Sequence, residues 1–98
     1  MIIELMIMEK LLKLKSAKEF NYKYKDFLED NYYGCSLELP EALEYLDNKF
    51  QEYIKIPGFK YHQIKSKWNY FCFYAEGLSN EERSEVELEL QRIYLYEN

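Results

Sequence analysis

The sequence predicts an α+β fold in which helices pack on one face of a small antiparallel β-hairpin, in the order α-α-α-β-β-α. Apolar residues recur at helical spacing in separate segments of the chain. Two capping boxes mark helix starts. Two strand-like segments, the second almost wholly aromatic, flank a short turn at Trp68 and Asn69. A chain of 98 residues is long enough for one domain with a modest core, so we expect a single domain over residues 1–98.

The first two predicted helices occupy the N-terminal third of the chain. Residues 2–15 carry a broad apolar stripe, which includes Ile3, Met6, Ile7, Leu11 and Leu14. Ser16 with Glu19 three positions later forms a capping box that starts a second helix, and that helix should end near Asp30. The stripe is wider than one helix contact needs, so we expect either deep burial or a homodimer through residues 1–14.

A loop, a third helix and the hairpin follow. Residues 31–38 contain Gly34 and are typical of a loop. Pro40 suits the first position of a helix, and Pro57-Gly58 ends it. Residues 59–65 and 70–75 should form the two strands of the hairpin.

The second strand and the last helix should share a core. Alternation places Phe71 and Phe73 on one side of the strand, and Tyr70, Cys72 and Tyr74 on the other. Ser79 with Glu82 forms the second capping box and starts a helix to about Tyr94. The predicted core of this half of the molecule consists of Phe71, Phe73, Val86, Leu90 and Ile93.

The hairpin resembles a known sequence pattern. Residues 63–74, QIKSKWNYFCFY, with Pro57 and Phe59 before them, are similar to small uncharacterised bacterial and phage proteins in which a hairpin reading roughly Q-V-K-x-K-F-G-x-L-x-F-Y lies between two helices. The resemblance covers about residues 40–96. Trp68 stands where the pattern has Phe, and Asn69 stands where it has Gly, a substitution that Asn permits because it tolerates positive φ. The resemblance implies this local fold and a phage or mobile-element origin, and it carries no activity.

Composition and cysteine usage point to an intracellular protein. Glu4 lies where a secretory signal needs positive charge, and no apolar run approaches the roughly 20 residues of a membrane span. Cys35 and Cys72 lie in unrelated contexts, which favours two reduced thiols over a disulfide. We therefore expect the protein in the cytoplasm of the host cell, without membrane contact.

The sequence does not predict an enzyme. His62 is the only histidine, and no neighbour in the sequence is an obvious orienting partner for it. Cys72 would be a candidate nucleophile only if His62 lay across the hairpin from it, and a cysteine in an aromatic strand is usually a packed hydrophobe. The chain contains no Gly-rich phosphate loop, no Cys-x-x-Cys segment and no paired Cys/His spacing, so we expect no cofactor and no metal.

Charge is segregated along the chain and defines two candidate binding surfaces. The acidic surface lies on the third and last helices and consists of Glu41, Glu44, Asp47, Glu82, Glu85 and Glu89. Such carboxylates are either a solvated face or an array that imitates nucleic-acid phosphates and docks on a basic groove. The hairpin surface interleaves lysines with rings and consists of Lys60, Lys65, Lys67, Trp68 and Tyr70. On a sheet, this pattern is typical of single-stranded nucleic-acid binding.

Small size, acidic helices, abundant tyrosine and the phage-like hairpin together predict an inhibitor that acts by binding a protein. The expected role is a phage anti-defence protein of the anti-CRISPR kind, which docks on a bacterial effector nuclease. Two alternatives stay open. One is an immunity protein that neutralises a toxin, and the other is an accessory protein that binds single-stranded nucleic acid through the hairpin, although we do not expect direct nucleic-acid contact.

Overall fold

A computed structural model describes residues 14–68 and 70–97 of the chain. The described helices are α1 (Ala17–Lys23), α2 (Pro40–Tyr53) and α3 (Asn80–Glu97), with a 3-10 turn at Lys25–Phe27. The described strands are β1 (Gly34–Cys35), β2 (Lys60–Lys67) and β3 (Tyr70–Glu76). The predicted α+β class is confirmed. The predicted order α-α-α-β-β-α is wrong, because the described elements follow the order α-β-α-β-β-α.

The N-terminal predictions fall largely outside the described residues. The predicted first helix and the predicted dimer contact cover residues 2–15 and 1–14, of which only the last one or two residues are described. Leu14 and Lys15 are not helical, and Leu14 packs against the core.

The second predicted helix is shorter than expected because its C-terminal part joins the sheet. Helix α1 begins at the predicted cap, where the Ser16 Oγ accepts a hydrogen bond from the Glu19 N–H at 3.1 Å. It ends at Lys23 rather than near Asp30. Leu28 forms a parallel β-bridge with Tyr61, and the Glu29 N–H donates to the Tyr61 carbonyl at 2.9 Å. Pairing with β2 therefore replaces further helical hydrogen bonds.

Strand β1 lies in the segment predicted as a loop, and a side chain holds it there. The Asn21 amide donates to the Cys35 carbonyl at 2.8 Å, and the Asn21 Oδ1 accepts from the Cys35 N–H at 2.8 Å. Gly34 has φ +72°, and a Cβ at that position would lie 2.5 Å from the Asn21 Oδ1. Only glycine fits both the backbone angle and this close approach.

The sheet is mixed rather than antiparallel as predicted. Its strand order is β1-β2-β3, with β1 parallel to β2 and β2 antiparallel to β3. In the hairpin, Ile64 lies opposite Phe73 and Lys67 lies opposite Tyr70, with a β-bulge between Tyr61 and Gln63. The predicted hairpin is confirmed, and β2 extends two residues further than the predicted 59–65.

The core lies between the helices and one face of the sheet. Its largest fully buried side chains come from α1, α2, both hairpin strands and α3, and they include Phe20, Phe50, Tyr61, Ile64, Phe73 and Leu90. The predicted contact between hairpin and last helix is confirmed. Phe73, Val86 and Leu90 are buried, while Phe71 and Ile93 pack against them from the rim.

Truncation of Phe73 tests this core. The ring is only 1% exposed and its centre lies 6.1 Å from that of the Phe50 ring, so Phe73→Ala leaves a cavity in the core that the surrounding side chains fill only in part. We expect a loss of about 3–5 kcal/mol in the free energy of unfolding, measured by urea denaturation. The control Leu88→Ala, at a side chain that is 66% exposed on α3, should change it by less than about 0.5 kcal/mol. Equal effects of the two variants would contradict the core assignment.

The two thiols should differ in reactivity. Burial raises the pKa of the Cys35 thiol from 9.0 to about 11, and the side chain is 3% exposed. Cys72 is partly exposed on the other side of the sheet. We expect one equivalent of thiol to react with a disulfide reagent in the native state, and the second only in denaturant.

The same burial sets a pH dependence. The stability contributed by the neutral Cys35 thiol is complete below pH about 9 and is lost as the pH rises through about 11, because the unfolded chain ionises first.

Cys72→Ala is the control for the thiol-labelling experiment, since it should remove the fast equivalent. Two fast equivalents in the native wild type would refute the burial of Cys35.

Candidate functional site

One face of the hairpin is left uncovered by the described helices. Alternation along the strands places Tyr61, Ile64 and Phe73 toward the core, and the intervening residues on the opposite side. We call that side the open face, and it consists of Gln63, Lys65 and Lys67 on β2 and Tyr70, Cys72 and Tyr74 on β3. Tyr70 is 71% exposed and Tyr74 is 46% exposed. Large aromatic side chains are therefore presented to solvent on a rigid strand pair.

The tip of the hairpin presents a further ring in a strained conformation. Trp68 is 90% exposed and has φ +60°, in the left-handed region that two-residue hairpin turns require. For a residue with a Cβ, this region costs about 1–2 kcal/mol, and a bulky side chain is rare there. The predicted turn residue Asn69 lies outside the described residues. An indole that is 90% exposed in a strained turn contributes no buried contact to the core.

Relief of this strain is measurable. Trp68→Gly removes the penalty for positive φ and loses no burial, so we expect the free energy of unfolding to rise by about 0.5–1 kcal/mol. Trp68→Ala is the matched control, because alanine keeps a Cβ and should give no gain. A lower melting temperature for the glycine variant would show that the indole packs on the hairpin and stabilises it.

The structure brings most of the predicted hairpin residues together. Lys65, Lys67 and Tyr70 lie on the open face, and the Lys65 Nζ lies 5.9 Å from the centre of the Tyr74 ring. Lys60 lies at the opposite end from the tip, where its Nζ donates to the Asp26 carbonyl at 2.8 Å. The sequence-based site omitted Tyr74, although the same alternation that placed Tyr70 on this face also places Tyr74 there.

The two candidate catalytic residues do not form a pair. Strand register places Lys65 opposite Cys72, three positions along β2 from His62, a separation of about 10 Å. Cys72 is instead the neighbour of Tyr74 on the open face, and the interaction with its thiol raises the pKa of Tyr74. The His62 ring stacks on Tyr32, with 4.5 Å between ring centres. The Cys–His arrangement that nucleophilic catalysis requires is therefore absent at these two residues.

The acidic surface on α2 is only partly available to a partner. Glu41 and Glu44 are exposed. Asp47 accepts hydrogen bonds from the Lys23 Nζ at 2.8 Å and from the Tyr24 hydroxyl, which ties α2 to α1. Burial and the Asp47 carboxylate both raise the pKa of Tyr24. Asp47 thus has a structural role within the molecule.

The three predicted carboxylates on α3 also have intramolecular contacts. Glu82 completes the capping box, since its Oε1 accepts from the Ser79 N–H at 2.9 Å, and this hydrogen bond lowers the pKa of Glu82. Glu85 lies 3.6 Å from the Lys49 Nζ. Glu89 accepts from the Arg92 Nε at 3.0 Å, and this hydrogen bond lowers the pKa of Glu89. The two ion pairs, at Glu85 and Glu89, lie at the surface, so each stabilises the fold only slightly, yet each offsets part of the negative charge.

The two candidate surfaces point in different directions. The helices that carry the carboxylates lie on the core side of the sheet, whereas the open face lies on the other side. One flat partner surface cannot contact both. The molecule therefore presents two separate candidate interfaces.

Comparison with known proteins does not distinguish between the acidic surface and the open face. Neither the models of known protein families, nor the curated proteins, nor the solved structures contain a match to this chain. Among the described residues, none of the helices has the length and apolar character needed to cross a membrane.

Proposed function

We propose that this protein acts by binding another protein through the open face and the tip of its hairpin, without catalysis of its own. The observation that carries the proposal is the exposure of Trp68, Tyr70 and Tyr74 on one rigid strand pair, with Trp68 in a strained turn. Tryptophan and tyrosine dominate binding energies at protein interfaces because they bury a large area at low cost in conformational entropy. A hairpin already ordered by its core loses little further entropy on docking.

Electrostatics favours a protein partner over single-stranded nucleic acid. Lys65 and Lys67 are the lysines on the open face, since Lys60 is bound to the Asp26 carbonyl. Two phosphate contacts give a salt dependence of only about −1.4 in log–log slope, far below that of proteins with about 6–10 contacts. The whole chain also carries a net charge of −5, which repels a polyanion at long range. Stacking on the rings alone would leave the phosphates without partners.

The biological role we propose is stoichiometric inhibition of a bacterial effector nuclease, as in phage anti-defence proteins of the anti-CRISPR kind. It is supported by the resemblance of residues 40–96 to small bacterial and phage proteins and by the exposed hairpin. An immunity protein would use the same mode of binding against a toxin. The identity of the captured partner separates the two roles, because one predicts a defence nuclease and the other predicts a toxin.

The experiment is capture from a phage-host lysate, followed by affinity measurements with the purified partner. Trp68→Ala combined with Tyr70→Ala should weaken binding at least about thirtyfold, because the loss of even one interface hot spot costs about 2 kcal/mol or more. The matched control is Glu41→Lys combined with Glu44→Lys, which alters the carboxylates that have exposed positions on α2. This control should bind within a fewfold of wild type.

Two outcomes would contradict the proposal. If the Glu41 and Glu44 variant loses binding while the hairpin variant retains it, α2 is the interface and carboxylate mimicry of phosphates is favoured. If an oligonucleotide binds tightly to the purified chain and competes with the partner, the hairpin is a nucleic-acid site. Circular dichroism on each variant confirms that the fold is intact before affinities are compared.

A further inference from the structure

Three ligand-bearing side chains converge at the end of the hairpin away from the tip. Glu29 follows the 3-10 turn, His62 lies at the β-bulge of β2, and Glu76 ends β3. Each of them offers a nitrogen or oxygen atom within 4.8 Å of those of the other two. They come from three separate segments of the chain, and none of them belongs to the open face or to the acidic surface.

Backbone pairing holds this cluster in place. The Glu29 N–H donates to the carbonyl of Tyr61, the residue next to His62, which fixes the loop beside β2. A turn follows, in which the Tyr32 N–H donates to the Glu29 carbonyl at 3.3 Å. Its third residue, Asn31, has φ +70°, as a type II turn requires. This turn brings Tyr32 onto the imidazole of His62, and the two rings lie 18° from parallel.

The imidazole nitrogen at the centre of the cluster lacks a hydrogen-bond partner. The His62 Nε2 has almost no solvent-accessible area and forms no hydrogen bond among the described residues. The Glu76 Oε1 lies 3.5 Å from it, which is longer than a normal N–H···O hydrogen bond. Buried nitrogen atoms are usually paired, so the His62 Nε2 keeps a lone pair or proton available for a further partner.

The same distance suits a shared metal ion. Two ligands of a tetrahedral zinc ion, each about 2.0–2.1 Å from the metal, lie about 3.4 Å apart. The His62–Glu76 separation of 3.5 Å already matches this value, and a rotation of the Glu29 side chain would complete the set. The neighbouring Lys60 does not compete for the carboxylates, because its Nζ donates to the Asp26 carbonyl.

We propose that Glu29, His62 and Glu76 bind a divalent transition-metal ion of the Zn²⁺ or Mn²⁺ class. One imidazole and two carboxylates form a mixed nitrogen and oxygen set, which suits these ions better than Mg²⁺ or Ca²⁺, since the latter prefer oxygen ligands alone. Three protein ligands leave at least one coordination position for water. The ion clips the loop after α1 to the base of the hairpin, in contrast to the sequence-based expectation of no metal.

Metal titration of the purified full chain tests the proposal. After treatment with a chelator, wild type should bind one equivalent of Zn²⁺ by calorimetry, and its melting temperature should rise with Zn²⁺ concentration. Co²⁺ should develop visible absorption when it binds in a site of low coordination number. Glu76→Gln should weaken Zn²⁺ binding by at least about a hundredfold, more than the effect of losing an outer-sphere partner. Glu76 is 63% exposed in its side chain, so this variant should fold.

Matched variants separate this site from other sources of metal binding. Glu81→Gln removes an exposed carboxylate elsewhere and should leave the affinity unchanged. Cys72→Ala should also leave it unchanged, which excludes a thiol site. His62→Gln should abolish Zn²⁺ binding. Because this variant also loses the stacking on Tyr32, which could unfold the loop, Glu76→Gln is the variant that isolates the loss of a metal ligand. Absence of a heat signal and of any shift in melting temperature for wild type overturns the proposal, and so does unchanged Zn²⁺ affinity in Glu76→Gln.

Discussion

The Phe50 ring is the contact on which the rest of the structure depends. It lies within about 6 Å of six other aromatic rings, which belong to α1, the α1 C-terminus, α2, the turn before β2, and both hairpin strands. Most of these contacts are tilted or edge-on, the arrangement that aromatic quadrupoles favour. Because all these rings meet at one point, α1 and α2 must lie on one side of the sheet. The other side of the sheet is left uncovered by the described elements for the same reason, so the core also creates the candidate site.

Local chemistry explains which parts of the fold the sequence predicts. Both predicted serine N-caps form, because each depends on residues only three positions apart. The box at Ser79 and Glu82 is complete, whereas the Glu19 carboxylate accepts from the Lys15 N–H instead of the Ser16 N–H. The hairpin and its core-facing residues also follow from local alternation. Strand β1 was missed because it depends on the Asn21 side chain, which contacts Cys35 fourteen positions away. The early end of α1 was missed for a similar reason, since it depends on pairing of Leu28 with Tyr61. Helical periodicity contains no information about such competing partners.

The candidate sites also differ in how far the sequence alone predicts them. Residues two positions apart on a strand share a face, and the short turn fixes which residues of the two strands lie opposite each other, so most of the open face follows from the sequence. The contacts of Asp47 and Glu85 do not, because Lys23 and Asp47 are 24 positions apart and Lys49 and Glu85 belong to different helices. The cluster of Glu29, His62 and Glu76 is even less predictable from the sequence. Its spacing matches no ligand motif, and a β-bulge together with a loop pairing is needed to bring the three residues together.

The edges of the sheet limit how a partner can dock. Free strand edges invite pairing with another chain, and proteins commonly cover or shorten them. On the β3 edge, the Phe73 N–H donates to the Glu87 Oε2 at 2.9 Å, so α3 occupies a donor that an added strand would need. On the opposite edge, β1 has only two residues, too few for a stable additional pairing. Recognition by strand addition is therefore disfavoured on both sides. The proposed protein partner would therefore contact side chains on the open face, where the exposed rings and lysines lie.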